Sequence, residues 1–137
     1  MESEGRRSDI MAIIEFSWQE FDDAVDAIAD EIKAKGLLNK FTHIYGIPRG
    51  GLTLAVALSH RLGKFVTTDS INVFRLHGRH MLVVDDISDT GKTLKEIDPD
   101  LSATIHMVEE TTFRPTIHVH MKNKEDWIEY PWEGKKE

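Results

Sequence analysis

The sequence contains no cysteine among its 137 residues. This absence excludes disulfide bonds, zinc–thiolate sites and a cysteine nucleophile. No apolar run approaches the roughly 20 residues that a helix needs to cross a bilayer. No hydrophobic segment typical of a secretion signal is present either, so we expect a cytoplasmic protein with no membrane partner.

Positive charge is also scarce, because 17 Lys and Arg residues against 24 Asp and Glu residues leave a formal net charge of −7. A chain with this balance lacks the basic surface that nucleic-acid binding requires, so we expect no nucleic-acid partner. Apolar residues make up 40% and charged residues 30%, which is typical of a globular domain. The length predicts one domain, residues 1–137, of which the polar residues 1–9 form a disordered tail.

The most informative stretch is residues 81–94, MLVVDDISDTGKTL. Its four apolar residues, 81–84, predict a buried central strand. Asp85 and Asp86 follow at the predicted carboxyl end of that strand, which is where open α/β sheets bind ligands. Two neighbouring carboxylates can accept hydrogen bonds from sugar hydroxyls or hold Mg²⁺ through oxygen ligands. This stretch therefore predicts a site for a polyol or a cation.

Residues 88–93, with the sequence SDTGKT, predict a phosphate-binding loop. Gly91 allows a sharp turn, and the backbone amides at the start of a following helix would favour a phosphate. A Walker A loop is the competing interpretation, because Gly91, Lys92 and Thr93 match the end of that motif. The motif also requires a glycine five residues before Gly91, where this chain has Asp86, so we reject it.

A second candidate anion site follows the predicted strand 41–47. Residues 46–51, GIPRGG, lead into a predicted helix at 52–62. Arg49 offers a fixed fork of donors that suits phosphate. An ordinary strand-to-helix turn, in which the proline and the glycines serve geometry alone, explains the same residues equally well.

Together, the hydrophobic strand, the acid pair and the loop 88–93 resemble the phosphoribosyl pyrophosphate (PRPP) motif of type I phosphoribosyltransferases. The loop with Arg49 precedes this motif as the pyrophosphate loop does in that family. Residues 127–132, WIEYPW, resemble the C-terminal end of bacterial xanthine-guanine phosphoribosyltransferases. The resemblance covers residues 16–133. It implies an α/β fold, with one doubly wound domain, a mostly parallel central sheet and a small C-terminal base-binding hood at 109–137.

The resemblance also implies an activity, namely transfer of 5-phosphoribose from PRPP to guanine, xanthine or hypoxanthine in purine salvage. Mg²⁺ is the implied cofactor, and PRPP and the purine base are the implied small-molecule partners. Relatives commonly form dimers or tetramers, so a homodimer or homotetramer is implied. The alternative is a regulatory protein of the same fold that binds PRPP or a nucleotide without transferase activity.

Roles for single residues follow from the same resemblance. Asp89 is the expected catalytic proton acceptor, and Asp86 and Asp85 are the expected metal contacts. Trp127 is expected to stack on the base, and the backbone of Ile128 is expected to read its edge. The residues expected to bind PRPP are Arg49, Gly50, Gly51, Asp85, Asp86, Ser88, Asp89, Thr90, Gly91, Lys92 and Thr93. The bond before the first loop glycine is often cis in relatives, which here would be Arg49–Gly50.

Two features depart from the family pattern. Many relatives carry a long loop that closes over PRPP before the central strand, whereas residues 77–80 predict only a tight turn. Relatives also place a lysine for the purine oxygen shortly after the strand that follows the PRPP loop. This chain has Glu109 and Glu110 there, and Arg114 is the basic residue left to substitute.

The remaining elements are predicted from local patterns. Ser17 and Glu20 form a capping-box pattern, which predicts a helix that begins after Ser17 and ends at Gly36. Further strands are predicted at 64–67, 71–76, 103–108 and 117–121. His106, His118 and His120 allow a metal-site interpretation, but exposed strand histidines are the more common explanation.

Overall fold

Strands and helices alternate along most of the chain, as expected for a parallel sheet with crossover helices. The computed structural model describes residues 12–68 and 80–134. In chain order the elements are β1 (Ile13–Glu15), α1 (Trp18–Ala34), β2 (His43–Gly46), α2 (Gly50–Leu62), β3 (Phe65–Thr67), β4 (Met81–Ser88), α3 (Lys92–Ile97), β5 (Leu101–Val108), β6 (Ile117–Lys122) and β7 (Trp127–Glu129), with one turn of 3-10 helix at Leu38–Lys40.

The central sheet has the strand order β3-β2-β4-β5-β6, and all four pairings are parallel. β4 lies in the middle, between β2 and β5. Because the carboxyl ends of parallel strands meet at one edge, the turns that follow β2, β4 and β6 lie at the same edge of the sheet. The predicted central position of the 81–84 strand is confirmed.

Helices cover both faces of this sheet, which confirms the doubly wound α/β fold. α1 and α2 pack on one face, where the core cluster includes Val25, Ile28, Leu54, Ile44, Val84 and Ile105. α3 packs on the other face, where Leu94 and Ile97 join Met81 and Val83. Each apolar strand residue is therefore buried from one side or the other, as the uninterrupted run 81–84 predicts.

The start of α1 agrees with its sequence pattern. The Ser17 hydroxyl accepts a hydrogen bond from the Glu20 amide at 3.0 Å, and the Ser17 amide donates to Glu20 Oε1 at 2.9 Å. These two bonds satisfy amides that the first turn of a helix leaves without partners. The helix ends at Ala34, and Gly36 follows with a φ of 70°.

The strand β4 is longer than predicted. Its pairing with β5 continues past the apolar run, with Asp85 opposite Thr104, Ile87 opposite His106 and Ser88 opposite Met107. The acid pair therefore lies inside the strand and not after it, because the neighbouring strand supplies backbone partners as far as Ser88. Only tertiary pairing determines where such a strand ends.

A second, two-stranded sheet joins the two ends of the chain. β1 and β7 pair in parallel, with Ile13 opposite Trp127 and Glu15 opposite Glu129. The sequence analysis did not predict β1, and it placed residues 109–137 in a hood, whereas β6 belongs to the central sheet.

Within the described residues, no helix combines the length and hydrophobicity needed to cross a membrane. The predicted tail 1–9, the strand 71–76 and the turn residues 77–79 lie outside the described residues.

Candidate functional site

The acid pair lies half-buried near the end of β4. The Asp86 amide donates a hydrogen bond to Asp85 Oδ1 at 2.9 Å. Burial raises the pKa of both carboxyl groups, and the neighbouring Asp86 charge helps to raise the pKa of Asp85 to about 9. An arriving cation would favour the charged form of the pair and would meet two adjacent carboxyl groups there.

The turn with Arg49 packs directly against this pair. A Cβ atom added at Gly50 would lie 2.5 Å from Asp86 Cγ, and one added at Gly51 would lie 3.1 Å from Asp85 Cα. A larger residue at either position would have to displace these atoms. Arg49 is exposed at the start of α2. The two predicted anion loops are thus brought together beside the acid pair.

The cis peptide bond of this turn is Pro48–Arg49. The prediction of Arg49–Gly50 was therefore wrong by one residue. In relatives the cis bond often directly precedes the first loop glycine. In this chain it lies one residue earlier and directly follows the proline.

The loop after β4 encloses a small cavity of about 120 Å³. Its walls come from residues 85 and 87–94, and Thr90, Lys92 and Thr93 are exposed. Ser88 differs, because its side chain is only 2% exposed and its hydroxyl contacts Thr111 Oγ1 and Phe113 O, each at 2.8 Å. Ser88 therefore connects this loop to the loop between β5 and β6. The other predicted residues of the loop border the open cavity.

Sequence reasoning missed the segment that supports this loop. Thr112 donates two hydrogen bonds to the carbonyl oxygen of Thr90, from its amide at 2.9 Å and from its hydroxyl at 2.7 Å. A Cβ atom at Gly91, whose φ is 83°, would lie 2.5 Å from Thr111 Oγ1. The loop between β5 and β6 thus holds the loop 88–93 in place, and no local pattern in the sequence indicates this contact.

A larger cleft of about 360 Å³ adjoins the loop cavity. It is lined by Asp86, Asp89, Lys122, Trp127, Ile128 and Tyr130, among others. Trp127 is 43% exposed, whereas Ile128 is buried. Ile87 and Asp89 border both the cleft and the loop cavity. The predicted base-binding residues and the predicted phosphate-binding residues therefore meet at one junction.

Tyr130 and His106 link this cleft to the acid pair, and the sequence analysis assigned neither a role there. The Tyr130 hydroxyl donates to the backbone oxygen of Asp86 at 3.3 Å and lies 2.9 Å from His106 Nδ1. The His106 and His120 rings lie 5.4 Å apart. Within the described residues, no group of three potential metal ligands is arranged to hold an ion.

His106 is expected to make the fold sensitive to acid. Burial first, and then the charges of His120 and Lys122, lower the pKa of His106 to about 4, while Glu20 acts in the opposite direction. The unfolded chain takes up this proton near the ordinary value of 6.5. Between these two values only the unfolded state is protonated at this site, so the contribution of neutral His106 to stability is lost as the pH falls.

The measurement compares wild type with His106→Phe in urea unfolding at several pH values. The difference in free energy of unfolding should shift in favour of the variant by about 3 kcal/mol between neutral pH and pH 4. The pKa of the acid pair is raised in the folded state, so its titration increases stability as the pH falls. This effect is common to both proteins and cancels in the difference between their free energies of unfolding. A difference that stays constant with pH would contradict the assignment.

Solved structures share this architecture over nearly the whole chain. The crystal structure of a purine phosphoribosyltransferase from Pyrococcus horikoshii Ot3 has a TM-score of 0.73 and 27% identity, covering 90% of this chain and 96% of that one. The Helicobacter pylori xanthine-guanine-hypoxanthine phosphoribosyltransferase has a TM-score of 0.71 and 18% identity, covering 88% and 93%. A hypothetical protein from Neisseria gonorrhoeae with bound ppGpp has a TM-score of 0.68 and 19% identity, covering 90% of each chain. No protein-family model and no curated protein matches the sequence.

Proposed function

We propose that this chain, which has the fold of type I phosphoribosyltransferases, transfers 5-phosphoribose from PRPP to guanine, xanthine or hypoxanthine. The products are the nucleoside 5′-monophosphate and pyrophosphate, and the reaction serves purine salvage. The observation that carries this proposal is the junction at Ile87 and Asp89, where the loop cavity opens beside the larger cleft. A phosphoribosyl group held in the cavity would present its C1 atom to a base held in the cleft.

At the sugar end, the loop 88–93 would hold the 5′-phosphate in the cavity that its residues line. Asp85 and Asp86 would accept hydrogen bonds from the ribose hydroxyls. Arg49 and the Gly50 backbone would face the pyrophosphate, because their turn packs against Asp86. Such an arrangement lowers the barrier by positioning the reactants and by stabilising the charge on the leaving group.

Mg²⁺ fits the same residues. The acid pair supplies two adjacent carboxylates, and within the described part of the chain no larger cluster of metal ligands exists. Mg²⁺ commonly binds through one or two carboxylates, with substrate phosphates and water completing the shell. Asp86 and Asp85 would hold the ion, and when bound it would neutralise charge on the departing pyrophosphate.

At the base end, the purine would stack on Trp127, and the backbone of Ile128 would meet its edge. The bond from C1 of the ribose to pyrophosphate breaks, and a bond from C1 to N9 of the purine forms. The proton that the purine loses passes to the carboxylate of Asp89, which borders both cavities.

The test is an incubation of the full chain with Mg²⁺, PRPP and single purines, with release of pyrophosphate as the readout. We expect release with at least one of guanine, xanthine and hypoxanthine, and none without a base. PRPP or nucleotide binding without pyrophosphate release from any purine would overturn the transferase proposal. That result would favour a regulatory protein of the same fold.

Trp127→Ala is expected to weaken base binding selectively. Stacking of a base on an aromatic ring is worth about 1–3 kcal/mol, so KM for the purine should rise about 5- to 150-fold, with KM for PRPP changed less than about twofold. The matched control is Trp18→Ala, which removes a similarly exposed indole that packs on Phe21 and borders neither cavity. An equal rise in KM for both substrates would indicate general damage and not a lost stacking contact.

A further inference from the structure

Tyr130 lies directly after β7, and the packing around its ring leaves only 4% of the residue exposed. The ring stacks on Trp132, with centroids 4.9 Å apart and an interplanar angle of 10°, and Phe16 meets it edge-on at 5.8 Å. Trp132 in turn contacts Phe21 of α1 at a centroid distance of 5.3 Å. A ring packed in this way has little freedom to turn, so its hydroxyl has a defined position.

The Tyr130 hydroxyl contacts two groups that are distant in the chain. It donates to the backbone oxygen of Asp86 at 3.3 Å, and it lies 2.9 Å from Nδ1 of the buried His106. Asp86 belongs to β4 and His106 to β5. Buried hydrogen bonds of this kind hold separate segments in one arrangement. The hydroxyl therefore joins the segment after β7 to the two strands beside the site.

The part of β4 that carries the acid pair has fewer strand partners than the part before it. β2 pairs with β4 as far as Val84, whereas β5 pairs with it as far as Ser88. Within the described part of the chain, the acid pair thus has a neighbouring strand on one side only. A hydrogen bond from Tyr130 to Asp86 restrains a stretch of backbone that a second strand does not hold.

Tyr130 also borders the cleft, together with Asp86 and Trp127. The short segment 127–130 therefore carries the proposed stacking ring for the base at one end and the hydrogen bond to the acid pair at the other. The distance between the base and the sugar depends on how this segment is attached to β4.

We propose that Tyr130 is a positioning residue, whose hydroxyl holds Asp86 at a fixed distance from the base that stacks on Trp127. This inference rests on the proposed function and adds to it a residue that acts through Asp86. Formation of the bond between C1 and N9 requires both atoms at near-contact distance, and a displacement of about 1 Å can cost about 10²-fold in rate. Binding of one substrate alone does not depend on that distance.

The first measurement is the turnover of Tyr130→Phe, which keeps the ring and its packing and removes the hydroxyl. We expect kcat to fall about 10- to 100-fold, with KM for PRPP and for the purine each changed less than about threefold. The matched control is Ser102→Ala, which removes another buried hydroxyl that accepts a hydrogen bond from a backbone amide, that of Thr116 at 3.1 Å. Ser102 borders neither the loop cavity nor the cleft, so kcat should stay at the wild-type value.

The second measurement needs no turnover. Guanosine 5′-monophosphate, the product of the proposed reaction with guanine, would occupy the sugar site and the base site at once, whereas PRPP would occupy the sugar site alone. In Tyr130→Phe, calorimetry should show a loss of about 5- to 20-fold in affinity for this nucleotide, because the two sites are no longer held at the matching distance. Affinity for PRPP should change less than about threefold.

The outcomes separate this inference from the proposed function. Absence of pyrophosphate release by wild type would overturn the transferase proposal, while the nucleotide affinities would still test Tyr130. Equal affinity of wild type and Tyr130→Phe for the nucleotide would overturn the positioning role, whatever the turnover. An equal loss of PRPP affinity, or the same losses in Ser102→Ala, would assign the hydroxyl to general stability and overturn it too. Failure of wild type to bind either ligand would overturn both proposals.

Discussion

An Asp89→Asn variant is expected to lose about 10²- to 10⁴-fold in kcat, while its affinity for PRPP changes less than about threefold. Asp89 is exposed and borders both the loop cavity and the cleft. Asparagine keeps the size of the side chain but not its basic carboxylate, so in the proposed reaction the proton of the purine would lose its acceptor while the loop 88–93 stays intact. Single-turnover rates at saturating PRPP and base separate this chemical step from binding.

Asp98→Asn is the matched control for this variant. Asp98 is exposed at the end of α3, has a φ of 53° that asparagine also tolerates, and borders neither cavity. Its turnover should equal that of wild type. Wild-type turnover by Asp89→Asn would remove Asp89 from the mechanism, whereas loss of PRPP affinity would assign it to phosphate binding.

Gly50→Ala is expected to abolish most activity with little change in stability. The new Cβ would lie 2.5 Å from Asp86 Cγ, so the carboxylate must turn away from its position. A side-chain end can move at small cost to the fold. Displacement of a positioned group by about 1 Å, however, can cost about 10²-fold in rate. The measurement pairs kcat/KM for PRPP with the thermal midpoint of unfolding.

Two other glycines distinguish this effect from general strain. Gly51→Ala would meet the Val84 carbonyl and lie 3.1 Å from Asp85 Cα, which are backbone atoms of the central strand. That variant should lose stability by about 1–3 kcal/mol. Gly63→Ala meets no atom within 4 Å but has a φ of 67°, so it should cost about 1 kcal/mol and keep its activity. Equal activity loss in Gly50→Ala and Gly63→Ala would contradict contact with Asp86 as the cause.

Patterns between near neighbours in the chain predicted a large part of the fold. The capping box at Ser17 and Glu20 marks the start of α1, because both bonds join residues three apart. The apolar run 81–84 identifies the central strand, since a strand covered on both faces needs apolar residues throughout. The two candidate anion loops were located by the same means, and the fold places both beside the acid pair.

Contacts between distant residues could not be predicted in this way. β1 has three residues and pairs with β7 near the other end of the chain, so no local pattern distinguishes it from a loop. Tyr130 reaches Asp86, and Thr112 reaches Thr90, through hydrogen bonds that depend on how the strands are ordered. The burial of Lys122 at the end of β6 likewise has no signal in a sequence where lysines are usually exposed.

The sequence by itself determined the central strand, the acid pair and the two candidate anion loops, because these follow from periodicity and residue type along short segments. The class of fold was implied by the resemblance of these segments to a known family. Tertiary structure alone decided that β4 extends through Asp85 and Asp86, that Ile87 and Asp89 border two adjoining cavities, and that Lys122 borders one of them. The reason is physical. Strand order and sheet pairing bring together segments that are far apart in the chain. They therefore set the distances between the side chains of the site.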